Sequence, residues 1–261
     1  DLILTAAAPA IWGSTYLVTT EFLPDGYPVT VAMLRALPAG LLLLLVVRQL
    51  PSVDWLGRVF LLGALNFTVF WALLFVAAYR LPGGVAATVG AMQPLLVIFL
   101  AHAVLDTPVR LLSVVAALAG LAGVSLLVLT PAASLDVIGI LAGLGGAASM
   151  AAGTVLTRKW QPDVPLLTFT AWQLTAGGLL LVPLAFLLEP PLPVPSTANL
   201  LGYLYLGIPG AALTYLIWFR GVARIDAPVV SLLGLMSPLT AILLGWIALG
   251  QQLTLWQIAG V

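Results

Sequence analysis

Within long apolar stretches, the side chains able to do chemistry are few, and they bind rather than transfer groups. Trp12, Ser14, Thr15, Tyr16, Asn66, Trp71, Gln93, Thr214, Tyr215, Trp218 and Ser237 supply hydroxyls, carboxamides and aromatic faces. Aromatic walls offer stacking and dispersion contacts to an apolar ligand group, and Asn66 and Gln93 can orient a polar end. Those two amides are the costliest to leave against lipid, so both are expected to face the protein interior. A plainer role, as polar glue between helices, is open to each of these residues. No Ser/His pair, His-Glu-x-x-His zinc motif or carboxylate dyad lies in an apolar stretch, which argues against an enzyme. The chain has no Cys and a single His, His102, so thiolate chemistry and disulfides are excluded and a metal site has nothing to support it. No cofactor is expected.

Charge is equally sparse. Arg35 is the only base well inside an apolar stretch, seven residues beyond Pro28. Two roles are open to it: snorkelling or a structural pairing, with Glu21 as one partner, or contact with a substrate carboxylate. His102 has the side chain suited to a proton switch, and a hydrogen-bonded structural role is the alternative. Pro94 and Pro238 fall about half way along their stretches, where proline frees a carbonyl and kinks a helix. Gating or cavity shaping is expected of them.

These residues must be held by elements built for lipid. Of 261 residues, 62% are hydrophobic and 7% charged, and the mean hydropathy is +1.18. Ordinary soluble domains carry about 25% charged residues. The nine bases balance the nine acids, which gives nucleic acid no purchase. A spanning helix needs roughly 20 apolar residues, and the sequence divides into spans at 2–22, 28–48, 55–79, 83–105, 109–130, 136–159, 165–188, 199–221, 227–248 and 253 onward. Turn chemistry separates them, as in Pro24-Asp25-Gly26, Pro82-Gly83-Gly84 and Gln161-Pro162-Asp163. Residues 189–196 hold four prolines and read as an extended strap. The last span has nine residues, too few to cross, so the natural chain is expected to continue. Small-residue repeats such as Gly139-x-x-x-Gly143 favour close helix packing within the fold over dimerisation, and a monomer is expected.

With the first residue cytoplasmic, Arg48, Arg58, Arg110, Arg158, Lys159, Arg220 and Arg224 fall inside and only Arg80 outside. That bias sets both termini in the cytoplasm.

The sequence also repeats itself. A shift of 144 lays residues 81–117 on 225–261, so that Val85, Gly90, Met92, Pro94 and Leu95 match Val229, Gly234, Met236, Pro238 and Leu239. The same shift pairs Gly63 with Gly207 and Trp71 with Tyr215, and a shift of 138 lays Ala39-Gly40-Leu41-Leu42 on Gly177-Gly178-Leu179-Leu180. A unit of five spans is odd, so its second copy must enter the membrane from the other side. The expected architecture is all-α, ten transmembrane helices as two inverted five-helix repeats, at 1–130 and 136–261. Inverted repeats bind substrate near the midplane at their interface.

Trp12-Gly13-Ser14, Pro28 with Arg35, Gln93-Pro94-Leu95 and Ser237-Pro238-Leu239 resemble patterns of the drug/metabolite transporter superfamily, specifically its EamA-type ten-helix members. The resemblance covers essentially the whole chain. It implies an inner-membrane carrier with a central cavity lined by helices 1, 3, 4, 6, 8 and 9 that exports small metabolites, aromatic amino acids being the nearest fit. Where the family often has Gly-Glu, this chain reads Leu105-Asp106 and Gly250-Gln251, a departure that counts against a proton-coupling role for that acidic position. The expected activity is export of amino acids with apolar side chains by alternating access. Import or exchange of phosphorylated or nucleotide-linked compounds in the same fold is the alternative.

Overall fold

The computed structural model describes residues 1–81, 89–128, 136–249, 254, 258 and 259. Every regular element among them is helical, as lipid demands of a backbone that must satisfy its own polar groups. In chain order they are α1 (Leu2–Phe22), α2 (Pro28–Val47), α3 (Val53–Gly63), a π-helical stretch (Ala64–Thr68), α4 (Val69–Arg80), α5 (Gln93–Leu105) and α6 (Leu111–Val128). Then follow α7 (Val137–Lys159), α8 (Leu166–Leu188), α9 (Thr197–Gly207), a second π-helical stretch (Ile208–Leu213), α10 (Thr214–Arg224), α11 (Ala227–Leu233) and α12 (Met236–Leu249). Among the described residues, seven helices are long and apolar enough to cross a membrane, and those at Gln93–Leu105 and Leu111–Leu126 are shorter. The protein is thus a multi-pass membrane protein. The expected turn Pro82-Gly83-Gly84 and most of the expected tenth span lie outside the described residues.

Helix ends follow local chemistry. Pro28 opens α2, where a missing N–H is harmless. The next two donors, the N–H groups of Val29 and Thr30, are taken by the carboxylate of Glu189 at 2.5 and 2.8 Å, a favourable charge for a helix N-terminus. Asp136 accepts from the Gly139 N–H to start α7, and Ser196 and Asn199 form a capping box at α9.

Four spans are not uniform helices, and the departures come in matched pairs. The two π-helical stretches follow Gly63 and Gly207, residues that the 144 shift superposes. The fourth and ninth spans break into turns at 91–92 and 234–235. Bonds to the third residue back, such as Met92 N–H to Val89 and Leu235 N–H to Leu232, tighten those turns. Pro94 and Pro238 therefore do not kink continuous helices. Each sits in the first turn of the segment after the break, where a helix has free donors to spare.

Among the described residues, the most extensive helix contact joins α2 and α8. Glycines bring the two backbones together: a Cβ on Gly40 would lie 2.5 Å from the Thr175 nitrogen, and one on Gly178 would lie 2.6 Å from the Leu37 Cα. A shift of 138 carries Leu37 onto Thr175 and Gly40 onto Gly178, so the contact reads the same from either helix. That is the pattern of a two-fold contact.

The molecule has two ends. At one, Arg58 lies 5.0 Å from the Trp55 ring and 5.7 Å from the Trp160 ring, and Trp172 Nε1 donates to the Gln49 carbonyl at 2.7 Å. Arg158 donates to the Val222 carbonyl there, and Arg220 meets Asp1. At the other end Glu189 caps α2, Asn199 donates to the Phe22 carbonyl, and Arg80 lies 3.6 Å from Asp136. α1 begins at the basic end; α7 begins beside Arg80.

Candidate substrate site at the helical seam

Aromatic rings fill the seam. On α10, Tyr215, Trp218 and Phe219 share one face by their spacing of three and four. Trp12 of α1 lies 4.9 Å from Tyr215 and 5.2 Å from Trp218, ring centre to ring centre. Phe67, in the first π-helical stretch, packs edge-on to Tyr215 at 4.7 Å and to Trp71 at 5.5 Å. All but Trp12 are buried, Phe67 and Trp218 almost completely. Each such pair contributes about 0.5–1.5 kcal/mol beyond area burial. Trp12 is also fixed by its indole N–H, which donates to Thr214 Oγ1 at 2.9 Å, while Thr214 donates to the Gly210 carbonyl at 2.8 Å.

Two polar knots flank these rings. In the first, the Asn66 amide donates to Thr157 Oγ1 at 3.1 Å and to Gln173 Oε1 at 3.0 Å. In the second, Arg35 Nη2 donates to the Gly210 carbonyl at 2.6 Å, with the guanidinium 5.6 Å from the Trp71 ring. The knots correspond. The 138 shift carries Arg35 onto Gln173, and the 144 shift carries Asn66 onto Gly210. Each knot holds a π-helical stretch of one half through a side chain of the other. Ser149 adds to the first by donating to the Leu65 carbonyl at 2.9 Å, and Thr68 donates back to the Gly177 carbonyl.

Among the described residues, Asn66 Oδ1, Gln173 Nε2 and Trp218 Nε1 are buried with no hydrogen-bond partner. An unsatisfied buried polar atom costs about 1–3 kcal/mol. The seam therefore holds acceptor and donor capacity beside aromatic surface, a set suited to a ligand with one apolar and one polar end.

Of the residues singled out in the sequence, Trp12, Asn66, Trp71, Thr214, Tyr215 and Trp218 converge here, and Arg35 joins them through Gly210 and Trp71. Ser14 instead pairs with the Tyr205 hydroxyl at 2.7 Å. Gln93 is half-buried at the start of α5. The Ser237 carbonyl lies against Gly13, leaving no room there for a Cβ. His102 is exposed and its Nδ1 meets the Thr107 carbonyl at 3.1 Å. The side chain of Tyr16 lies outside the described residues. Phe67, Thr157 and Gln173 were missed. The 138 shift, which sets Gln173 on Arg35, was the signal that could have found it.

Protein PecM of Dickeya dadantii (strain 3937) is 50% identical over 97% of this chain and 86% of that protein. The inner membrane transporter YedA of Escherichia coli (strain K12) is 28% identical over 92% of this chain and 84% of its own length. A solved crystal structure covers 99% of this chain and 91% of its own with a TM-score of 0.85; at 22% identity the likeness is one of fold. The EamA-like transporter family matches twice, over residues 2–129 and 137–261. Two family matches, one per half, and transporters among the relatives make the protein a membrane transporter rather than an enzyme: the chain belongs to the EamA-like transporter family.

Proposed function

We propose that this transporter exports small organic metabolites, chiefly amino acids with aromatic or other apolar side chains, by alternating access between two inverted halves of five helices each. The observation that carries the reading is the aromatic cluster with unsatisfied polar atoms of Asn66, Gln173 and Trp218 beside it. Opening the seam would separate Trp12, Phe67, Trp71 and Tyr215 and expose their faces to an apolar side chain. The amides would take the polar end. Trp12, Ser14, Tyr16, Asn66, Trp71, Gln93, Thr214, Tyr215, Trp218 and Ser237 remain the proposed binding set, with Phe67 and Gln173 added. Hinge motion at the paired breaks before Pro94 and Pro238 would open the two faces in turn.

The symmetric α2–α8 contact, the paired knots and the paired π-helical stretches support the inverted repeat. The bias of bases toward one end supports an inner-membrane orientation with both termini cytoplasmic; small-residue packing within the fold supports a monomer surrounded by lipid. Phosphorylated cargo would need several bases converging on the seam. Among the described residues, Arg35 is the base that lies there, with a guanidinium nitrogen already on Gly210. Uptake of labelled phenylalanine, leucine and a sugar phosphate into liposomes tests the choice. Movement of the sugar phosphate alone would overturn it.

A further inference from the structure

A cavity of about 200 Å3 opens at the basic end, between the connection from α7 to α8 and the last turns of α10. Two of its lining residues belong to the seam. Thr157 belongs to the amide knot, and the Phe219 ring lies tilted against Tyr215, 5.8 Å from centre to centre. Pro162, Val164, Leu166 and Phe169 give it apolar walls, and Arg220 and Arg224 give it charge.

The arginines are already answering an anion. The Asp1 carboxylate lies 2.7 Å from Arg220 Nη2 and 3.9 Å from Arg224 Nη1, through the same oxygen. Its position is fixed, because Thr5 in the first turn of α1 packs against Gly221, where a Cβ would collide. Arg220 Nη1 is buried with no hydrogen-bond partner among the described residues, so this guanidinium fork is half used. Arg158, the third base nearby, donates to the Val222 carbonyl.

Resting on the transport reading above, we propose that this cavity is a receiving site for a carboxylate carried on an apolar body. Arg220 binds the carboxylate through its fork, Arg224 adds charge, and the apolar walls hold the body. Asp1 is the intramolecular competitor that occupies the arginines when the site is empty. The site hands its guest to the seam through Thr157 and Phe219.

The test uses the full chain in nanodiscs of zwitterionic lipid, with labelled 3-phenylpropionate and its uncharged amide as probes. The acid is expected to bind about tenfold or more tightly than the amide, and Arg220→Gln to weaken the acid by a similar factor. Asp1→Asn is expected to tighten it severalfold, a gain that misfolding cannot produce. Equal binding of acid and amide, an unchanged affinity in Arg220→Gln, or no gain in Asp1→Asn would each overturn the proposal. Loss of acid binding in nanodiscs containing phosphatidylglycerol would overturn it too, by making a lipid headgroup the occupant. Phenylalanine transport without any acid binding sinks this site alone. Arg220-dependent binding without amino-acid transport sinks the export reading alone.

Discussion

Arg35 and Gly210 meet across the seam: the guanidinium of a helix in the first half donates at 2.6 Å to a carbonyl inside a π-helical stretch of the second. A π turn misaligns its carbonyls with the regular ladder, and in lipid a free carbonyl needs a partner. Arg35 supplies one. Of the roles the sequence left open for it, snorkelling or a structural pairing against contact with a substrate carboxylate, the structure shows a structural pairing, with the Gly210 carbonyl rather than Glu21 as the partner. Arg35→Met is expected to lower stability by about 1.5–3 kcal/mol, the range for a hydrogen bond to a charged group. Thermal unfolding in detergent measures this, and an unchanged melting temperature would deny the contact its role.

The corresponding knot on the other side makes a paired prediction. Asn66 and Gln173 bond each other and each also bonds Thr157, so removing either breaks their shared bond and leaves the other buried with Thr157 as its remaining partner in the knot. Asn66→Ala, Gln173→Ala and the double variant should be non-additive, with a coupling of about 0.5–3 kcal/mol. A denaturation series on the three variants gives that number; simple additivity would mean that the amides act separately.

Glycine packing between α2 and α8 leaves no slack. Gly40→Ala sets a Cβ against the Thr175 backbone, which cannot rotate away as a side chain could. Overpacking of this kind costs about 1–3 kcal/mol, and monodisperse yield after mild heating should fall. Gly57→Ala meets nothing within 4 Å and is the control, expected to leave yield unchanged.

Trp218 separates binding from stability. Its ring is packed among Trp12 and the α10 aromatics, but its Nε1 is buried without a hydrogen-bond partner among the described residues. Trp218→Phe keeps most of the ring and deletes that donor. Melting temperature should hold or rise while phenylalanine transport falls. Reduced stability with undiminished transport would contradict a binding role for the indole.

Much of this fold was legible because lipid simplifies the code. Apolar runs of about 20 residues and short turn signals located α7 and α8 to within two residues of the observed bounds, since in a bilayer the backbone has few alternatives to helix. The internal shift exposed the paired prolines, and the aromatic positions 12, 71, 215 and 218 fell where the rings now meet. The π-helical stretches were hidden, because one extra residue in a turn leaves apolar composition unchanged. The breaks at 91–92 and 234–235 were hidden for the same reason, so Pro94 and Pro238 read as kinks rather than as starts. Gln173 was overlooked because a lone amide in an apolar run carries no periodicity of its own. Only its partner at the opposite shift, Arg35, marks it.

Opposite orientation of the two halves is the claim on which the rest depends, and the absence of native cysteine makes it directly measurable. Single cysteines replace exposed Leu50, after α2, exposed Lys159, at the end of α7, and exposed Val194, in the strap between α8 and α9. In intact cells, a membrane-impermeant maleimide should label Val194→Cys at once and should reach Leu50→Cys and Lys159→Cys only after permeabilisation. Labelling that divides Leu50→Cys from Lys159→Cys would contradict the inverted arrangement and the alternating mechanism built on it.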